Sequence, residues 1–167
     1  PYVFTVEDGL FIERRQVVLD LPAETVFRSY TGIGGARGWM YMDWAWAIRG
    51  WMDKAIGGVG LRRGRRHPDE INTGEALDFW RVELVEKFRI MRLRAEMIVP
   101  GKAWLQFEST PLEEEKGKTV FTVTAYFEPY GVPGFLYWYS MWPFHKFIFD
   151  GLARRLASRA RVLGHAY

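Results

Sequence analysis

The sequence predicts an α+β fold in which a curved antiparallel sheet wraps around a long C-terminal helix. Three observations lead to this prediction. Four central segments alternate apolar with charged residues, as strands with one buried face do. The C-terminal segment has apolar residues at helical spacing and then several arginines. Two segments rich in aromatic residues, Trp39–Trp51 and Phe135–Phe149, frame the strands.

The elements before the four strands are predicted from residues that are typical of the starts and ends of helices. Asp20 is expected to cap a short helix with Pro22 in its first turn, and Gly57-Gly58 is expected to end a second helix. The predicted order is a strand at 11–20, a helix from 21, a helix at 44–56 and a short basic strand at 61–65.

The four alternating segments give the clearest signal. They are Leu77–Val85, Arg89–Val99, Lys102–Thr110 and Thr119–Glu128. One face is predicted to be apolar, with Trp80, Val82, Leu84, Met91, Leu93, Met97, Leu105, Phe107, Phe121, Val123 and Phe127. The opposite face is predicted to be mixed, with Phe79, Arg81, Glu83, Arg92, Arg94, Glu96, Trp104, Gln106, Glu108, Thr122, Thr124 and Tyr126.

The C-terminal helix contains a proline. Pro143 is expected either to kink the helix or to begin its main part, because proline cannot donate a backbone hydrogen bond and crowds the preceding turn. The aromatic segment around it could lie on a membrane, but a core helix held by the sheet is the better interpretation, since the apolar face needs a partner of that size.

Composition sets the domain count. A chain of 167 residues that is 49% hydrophobic and 17% aromatic can bury one sizeable core. We therefore expect a single domain over 1–167. Because the chain begins at Pro1, residues 1–10 are expected to be a linker or tail from a missing N-terminal domain. The absence of cysteine and of a long apolar run fits a cytoplasmic protein, and membrane contact is not expected.

Several function classes lack their sequence signals. The stretch at Gly58-Val59-Gly60 has Arg63 where a dinucleotide fingerprint needs glycine, and it follows a helix where the fingerprint needs a strand. The three histidines have no metal-ligand spacing, and no nucleophile elbow is present. A net charge of +3 with interspersed acidic residues argues against nucleic acid. We expect no cofactor and no metal in this chain.

Five stretches carry a family resemblance. They are Phe27–Trp39 (FRSYTGIGGARGW), Gly57–Arg66 (GGVGLRRGRR), Ala76–Val82 (ALDFWRV), Ala95–Leu105 (AEMIVPGKAWL) and Leu136–Phe149 (LYWYSMWPFHKFIF). With the order of elements, they resemble the START-like, SRPBCC helix-grip superfamily. Within it they resemble an uncharacterised domain family found C-terminal to NAD(P)-binding, short-chain-dehydrogenase-like domains. The resemblance implies a helix-grip fold around a cavity, and an NAD(P)-binding partner domain in the full-length protein.

Candidate site residues follow from this cavity. Its walls are expected to include Trp80, Trp104, Tyr137 and Trp138. Arg81, Arg94 and Glu96 either form a solvated ladder or, if their face lines the cavity, become a buried network that orients a ligand. Asp78 and His145 are weaker candidates for acid–base chemistry, with sheet-edge and core roles as the alternatives.

The sequence therefore supports three hypotheses. The first, which the sequence favours, is a domain that is non-catalytic on its own and binds an apolar or aromatic small molecule as accessory to a dehydrogenase-like domain. The second is an enzyme of cyclase or hydrolase type with acid–base residues in the cavity. The third is a lipid, membrane or domain-docking module.

Overall fold

The computed structural model describes residues 2–7, 9–31, 51–58, 71–77, 80–96 and 100–164. The strands are β1 (Tyr2–Glu7), β2 (Leu10–Leu19), β3 (Ala76–Leu77), β4 (Trp80–Glu86), β5 (Ile90–Ala95), β6 (Gly101–Pro111) and β7 (Thr119–Pro129). The helices with defined bounds are α1 (Ala23–Thr31) and α2 (Gly131–Gly164), and residues 51–55 are also helical. The predicted strand at 61–65 lies outside the described residues.

The strands form one antiparallel sheet in the order β1-β2-β7-β6-β5-β4-β3. The long helix α2 packs on one face of this sheet against β2 and β7, and it also contacts α1. A curved antiparallel sheet closed by a long C-terminal helix is the helix-grip arrangement, so the predicted fold class is confirmed. We call the face that α2 covers the inner face and the opposite one the outer face.

Strand β1 corrects one expectation. Residues 1–10 were expected to be a linker or tail, but Tyr2–Glu7 pair with β2 along their whole length, from Tyr2 opposite Arg15 to Glu7 opposite Leu10. Tyr2, Phe4 and Val6 alternate with Val3, Thr5 and Glu7, which is a strand pattern that the expectation of a linker overlooked. Residues 2–7 are therefore part of the sheet.

A β-bulge in β4 corrects a second expectation. Val82 pairs with Leu93, but the register then shifts so that Leu84 pairs with Arg92 and Val85 with Met91. The extra residue moves Leu84 to the outer face, and Val85 packs against the core in its place. The other described members of the predicted apolar face lie on the inner face as expected.

Helix α1 begins slightly later than predicted. Its first turn is closed by the carbonyl of Pro22, which accepts hydrogen bonds from the Thr25 and Val26 amides at 3.0 and 3.2 Å. Pro22 therefore holds the cap position, where proline loses no helical hydrogen bond. Asp20, the predicted cap, has an exposed side chain 3.8 Å from the Nζ of Lys118.

Helix α2 runs unbroken from Gly131 to Gly164, so Pro143 lies inside it and does not begin it. Gly134 brings its first turn close to the sheet. A β-carbon there would lie 2.6 Å from the Pro100 oxygen and 2.7 Å from the Pro129 β-carbon, so only glycine fits. Among the described helices, none combines the length and apolarity that crossing a membrane requires.

The main core fills the inner face towards α1. Tyr30 of α1 is fully buried, and its ring stacks between Phe107 and Phe121 at centroid distances of 5.5 and 5.8 Å. Its hydroxyl lies 3.0 Å from the Oγ of Ser109, which donates to the Phe88 carbonyl oxygen at 2.9 Å. Phe88 has a left-handed backbone with φ of 64°, so this bond holds a strained turn between β4 and β5. We call the rings of Tyr30, Phe107 and Phe121, together with the side chain of Ser109, the Tyr30 core.

Candidate functional site

Strand β2 places charged residues on the inner face of the sheet. Phe11, Glu13 and Arg15 have Phe127, Ala125 and Val123 as their cross-strand partners, so all three side chains share the face that α2 covers. Glu13 is 0% and Arg15 6% exposed. Charges this deeply buried are costly unless they are well paired, and they are therefore informative about function.

Arg15 supplies that pairing. Its Nη2 donates to the Oε2 of Glu13 at 3.1 Å, and its Nε donates to the Oδ1 of Asp150 on α2. Asp150 is the solvent-side member, with a side chain that is 38% exposed, whereas Glu13 lies behind Arg15. The guanidinium thus ties the sheet to the helix through two of its donors. We call Glu13, Arg15 and Asp150 the charged seam.

A groove opens beside the charged seam, between β2, β7 and α2. The volume of this groove is about 670 Å³. A second groove, on the outer face, has a volume of about 680 Å³. Val17 and Phe121 from the sheet and Ala153 and Ala157 from the helix give the first groove an apolar lining. Polar residues complete the lining of this inner groove: Arg15, Gln16, Asp150, Arg154, Ser158 and Arg161.

Aromatic residues anchor the first turns of α2 on the other side of the seam. Trp138 is 3% exposed and stacks on Phe11 and Phe127, with ring centroids 5.3 and 5.4 Å away. Phe4 of β1 stacks on the same group, and Tyr137 packs against Phe127 at 5.8 Å. We call these five residues the aromatic platform. Along β2, the inward-facing residues therefore belong first to the aromatic platform, then to the charged seam and then to the inner groove.

The structure divides the predicted site residues among three places. Trp80 is 3% exposed and belongs to the main core. Tyr137 and Trp138 belong to the aromatic platform. The remaining four, Arg81, Arg94, Glu96 and Trp104, lie on the outer face, so the set does not line one cavity.

The outer-face residues are partly exposed to solvent. Arg81 donates from Nε to the Oε1 of Glu96 at 3.0 Å, and their side chains are 38% and 23% exposed. Arg94 is exposed and pairs across the strands with Trp104. This geometry is that of the solvated ladder, which the sequence had left as one of two alternatives.

Trp104 lies in a separate groove on the outer face. Trp104 and Tyr126 are cross-strand partners, and both line this outer groove. The rest of the lining is mostly charged or polar: Glu7, Leu10, Glu83, Arg92, Gln106 and Glu128. Asp78 lies outside the described residues, and so does the side chain of His145. Within the described parts of the chain, no group of three or more acidic or histidine side chains could hold a metal ion.

The sequence interpretation missed Glu13, Arg15 and Asp150. The run Glu13-Arg14-Arg15-Gln16 looks like a solvated strand surface when it is read as a block. The signal that could have found them is parity, because Phe11, Val17 and Leu19 have the same parity as Glu13 and Arg15. A strand with two charges among its inward positions indicates a polar interior feature.

Comparisons with known proteins agree with the fold. The sequence profile of a family described as protein of unknown function (DUF2867) matches residues 6–152. A truncated norcoclaurine synthase from Thalictrum flavum is 8% identical with a TM-score of 0.55, covering 93% of this chain and 96% of that one. The same enzyme in complex with dopamine and hydroxybenzaldehyde is 10% identical with a TM-score of 0.51, covering 94% and 86%.

A bacterial protein gives a similar result. The Zhui aromatase/cyclase from Streptomyces sp. R1128 is 13% identical with a TM-score of 0.51, covering 91% of this chain and 94% of that one. At such identities the likeness is one of fold. Curated proteins give no match to the chain.

Proposed function

The chain belongs to the DUF2867 family, and from this premise we propose that it binds an apolar or aromatic small molecule in the inner groove. The observation that carries the proposal is the groove itself. It lies between α2 and the sheet, its lining combines apolar with polar and charged side chains, and its volume of about 670 Å³ is typical of a small-molecule site.

The fold neighbours support this choice of ligand class. One of them is an enzyme solved with dopamine and hydroxybenzaldehyde, and another is an aromatase/cyclase. Those names describe molecules of aromatic character handled by the same fold. For this chain, the ligand class is supported by the apolar surface of Val17, which is 40% exposed, and by the small side chains of Ala153 and Ala157, which leave room between helix and sheet.

The aromatic platform and the seam have distinct roles in the proposal. The platform fixes the first turns of α2 on β2 and β7 through Trp138, and Tyr137 lies half-buried at its edge. The charged seam fixes a later part of α2, at Asp150, to β2 through Arg15. Held at both points, the groove keeps its shape without a ligand, which lowers the entropic cost of binding.

The partner domain belongs to the same proposal. The resemblance to domains that follow NAD(P)-binding, dehydrogenase-like domains supports a role in which this domain receives a small molecule for such a partner. Phenylnaphthylamine is a neutral aromatic probe. Testing whether it changes the nicotinamide-dependent activity of the purified full-length protein would address the proposed role of the partner domain.

A second candidate function is acid–base catalysis in the inner groove. The observation that favours it is Asp150, whose partly exposed carboxylate lines the groove beside the Arg15 guanidinium. A carboxylate in this position can accept a proton from a bound molecule. If this is its role, Asp150→Asn abolishes conversion of a bound substrate while leaving its dissociation constant nearly unchanged.

The binding proposal is tested with phenylnaphthylamine, a neutral aromatic probe whose fluorescence rises in apolar sites. Val17 lines the groove and is 40% exposed, so Val17→Trp fills the groove without disturbing the core. We expect this variant to bind the probe roughly tenfold more weakly, a loss of about 1.4 kcal/mol. The matched control is Val18→Trp, because Val18 is 57% exposed on the same strand and points to the opposite face.

Native mass spectrometry of protein purified from cells complements the probe. A co-purifying small molecule that is present with Val18→Trp and lost with Val17→Trp agrees with the proposal. Empty spectra, together with no binding of phenylnaphthylamine to the natural chain, contradict it.

A further inference from the structure

We infer that the chain forms a twofold-symmetric dimer in which strand β1 of one copy pairs antiparallel with β1 of a second copy. This inference goes beyond ligand binding and does not depend on it. Two features of the described residues carry it. One is an unpaired sheet edge along Tyr2–Glu7, and the other is an apolar surface that borders this edge on the inner face.

Strand β1 forms one edge of the sheet. Among the strands that the structure describes, it pairs with β2 alone, so every second residue of β1 directs its backbone N–H and C=O away from the sheet. The pairing with β2 runs from Tyr2 to Glu7 without a register shift, so no bulge bends the strand away from a neighbour. This edge therefore offers a row of backbone donors and acceptors to a further strand.

Edge strands usually carry features that prevent such pairing, and β1 has few of them. Proteins use proline, lysine, inward-pointing charges or very short strands for this purpose. The sequence YVFTVE has no proline and no basic residue, and its single charge, Glu7, is at the end of the strand and lines the outer groove. At the opposite edge, β3 is only two residues long, which is itself a protection. Of these two edges, β1 is the one suited to pairing.

The strand is complementary to itself in an antiparallel arrangement. A twofold axis at its middle pairs the first residue of one copy with the last residue of the other, so Glu7 lies opposite Tyr2 of the second copy and Val6 lies opposite Val3. The two Glu7 residues are then at opposite ends of the paired strands, and no like charges face each other. Valine, threonine and aromatic residues, which favour strands, make up the rest of β1.

An apolar surface borders β1 on the inner face. Phe4 is 37% and Val6 53% exposed, and the Phe4 ring lies 6.2 Å from that of Phe11. From α2, the exposed rings of Phe135 and Tyr139 contact the same Phe11 ring at centroid distances of 5.6 and 5.8 Å. Strand and helix thus expose one continuous surface around Phe11. We call Phe4, Val6, Phe135 and Tyr139 the apolar edge patch.

The size of this patch fits a second copy of the chain. With about 200 Å² for a fully exposed aromatic side chain, the exposed parts of Phe4, Phe135 and Tyr139 amount to about 300 Å². Val6 and the neighbouring Leu136, both more than half exposed, enlarge it. A specific interface buries at least about 600 Å² per partner, and the backbone edge of β1 supplies the polar remainder. Antiparallel pairing of the two β1 strands turns both inner faces the same way, so the patches of the two copies lie on the same side of one continuous sheet.

Concentration-dependent association tests the inference. Light scattering during size-exclusion chromatography should give a mass approaching that of two chains at about 100 μM protein and a mass near that of one chain at about 1 μM. Val6→Lys places a charge at the paired edge and in the apolar edge patch, and we expect it to raise the dissociation constant of the dimer at least about tenfold.

The matched control is Val18→Lys, because Val18 is a similarly exposed valine on β2 that points to the outer face. This variant should associate as the natural chain does. Thermal unfolding at low protein concentration should show that both variants are folded.

Hydrogen exchange tests the edge itself. The amides of β1 that face away from β2 should exchange several-fold more slowly at high protein concentration than at low concentration, and in Val6→Lys their exchange should not depend on concentration. A chain that stays monomeric at about 100 μM overturns the inference, since a different segment or partner would then have to cover the edge. A dimer that Val6→Lys leaves intact, that Val18→Lys weakens equally, or whose β1 amides gain no protection also overturns it, because the two copies then meet elsewhere.

Discussion

The two ends of the inner face are stabilised in opposite ways. In the Tyr30 core, neutral hydroxyls and a backbone carbonyl form a chain, and fully buried rings fill the space around them. In the charged seam, two carboxylates and a guanidinium stand on the same face, and a groove opens beside them. The Tyr30 core is filled by side chains, whereas the charged seam borders an open groove.

This difference separates stability from function. A neutral hydrogen-bonded chain among rings costs little to bury, because every partner is satisfied within the core. A buried ion pair is often no more stabilising than apolar residues of the same volume, so its retention beside an open groove is better explained by what it does there. The Tyr30 core should therefore govern unfolding, and the seam and groove should govern binding.

The largest expected effect is on the Tyr30 core. Tyr30→Ala removes a ring that is 0% exposed and stacked on two others, so we expect the free energy of unfolding to fall by about 4 kcal/mol. Tyr30→Phe keeps the ring and loses the bond to Ser109, which should cost about 1 kcal/mol. Denaturant titration measures both. Equal losses in the two variants would mean that the ring stack contributes little.

The next effect concerns the charged seam. Glu13→Leu leaves Arg15 buried with one of its two carboxylates, and we expect a loss of about 3 kcal/mol. Glu13→Leu/Arg15→Met removes the buried cation as well, so it should recover most of that loss while Asp150 remains partly exposed. Denaturant titration of both variants provides the comparison. A double variant less stable than the single one would show that the seam is itself a source of stability.

A smaller effect concerns how the stability contributed by the Tyr30 core depends on pH. Burial raises the pKa of Tyr30 above its ordinary value of 10.0, although its hydrogen bond with Ser109 acts in the opposite direction. The folded protein therefore keeps a proton that the unfolded chain loses above about pH 10, and stability falls as the pH rises beyond that point, by at most about 1.4 kcal/mol per pH unit. Below about pH 10 this contribution is fully present. In thermal unfolding at increasing pH, Tyr30→Phe should show a shallower alkaline decline, and parallel curves would contradict this assignment.

Sequence patterns recover most of the sheet because alternation is a local property. The apolar positions in β5, β6 and β7 face inward as predicted, and so do Trp80 and Val82 of β4. Leu84 was misplaced because a bulge inserts one residue, which changes the parity of everything after it and leaves no mark in composition. Strand β1 was missed because residues 1–10 were expected to be a linker, although Tyr2, Phe4 and Val6 alternate as a strand does.

The site was less predictable because it depends on which face α2 covers. Alternation correctly groups Arg81, Arg94 and Trp104, but the same pattern is consistent with an outer ladder or an inner network. The long-range contact between Arg15 and Asp150, which are far apart in the chain, shows where charged side chains lie in the interior. Such a pairing joins two elements and cannot be read from the period of either one.

The smallest expected effect tests the two faces of the sheet against each other. Trp104 is the cross-strand partner of Tyr126 on the outer face, and we expect this pair of neighbours to contribute about 1 kcal/mol to the free energy of unfolding. Trp104→Ala should lose that amount and yet bind phenylnaphthylamine within about twofold of the natural chain, because the inner groove lies on the opposite face of the sheet. Fluorescence titration at a temperature where both proteins are folded makes the comparison. A tenfold weaker binding would instead place the ligand in the outer groove with Trp104, as the sequence first suggested, and would leave the charged seam with a purely structural role.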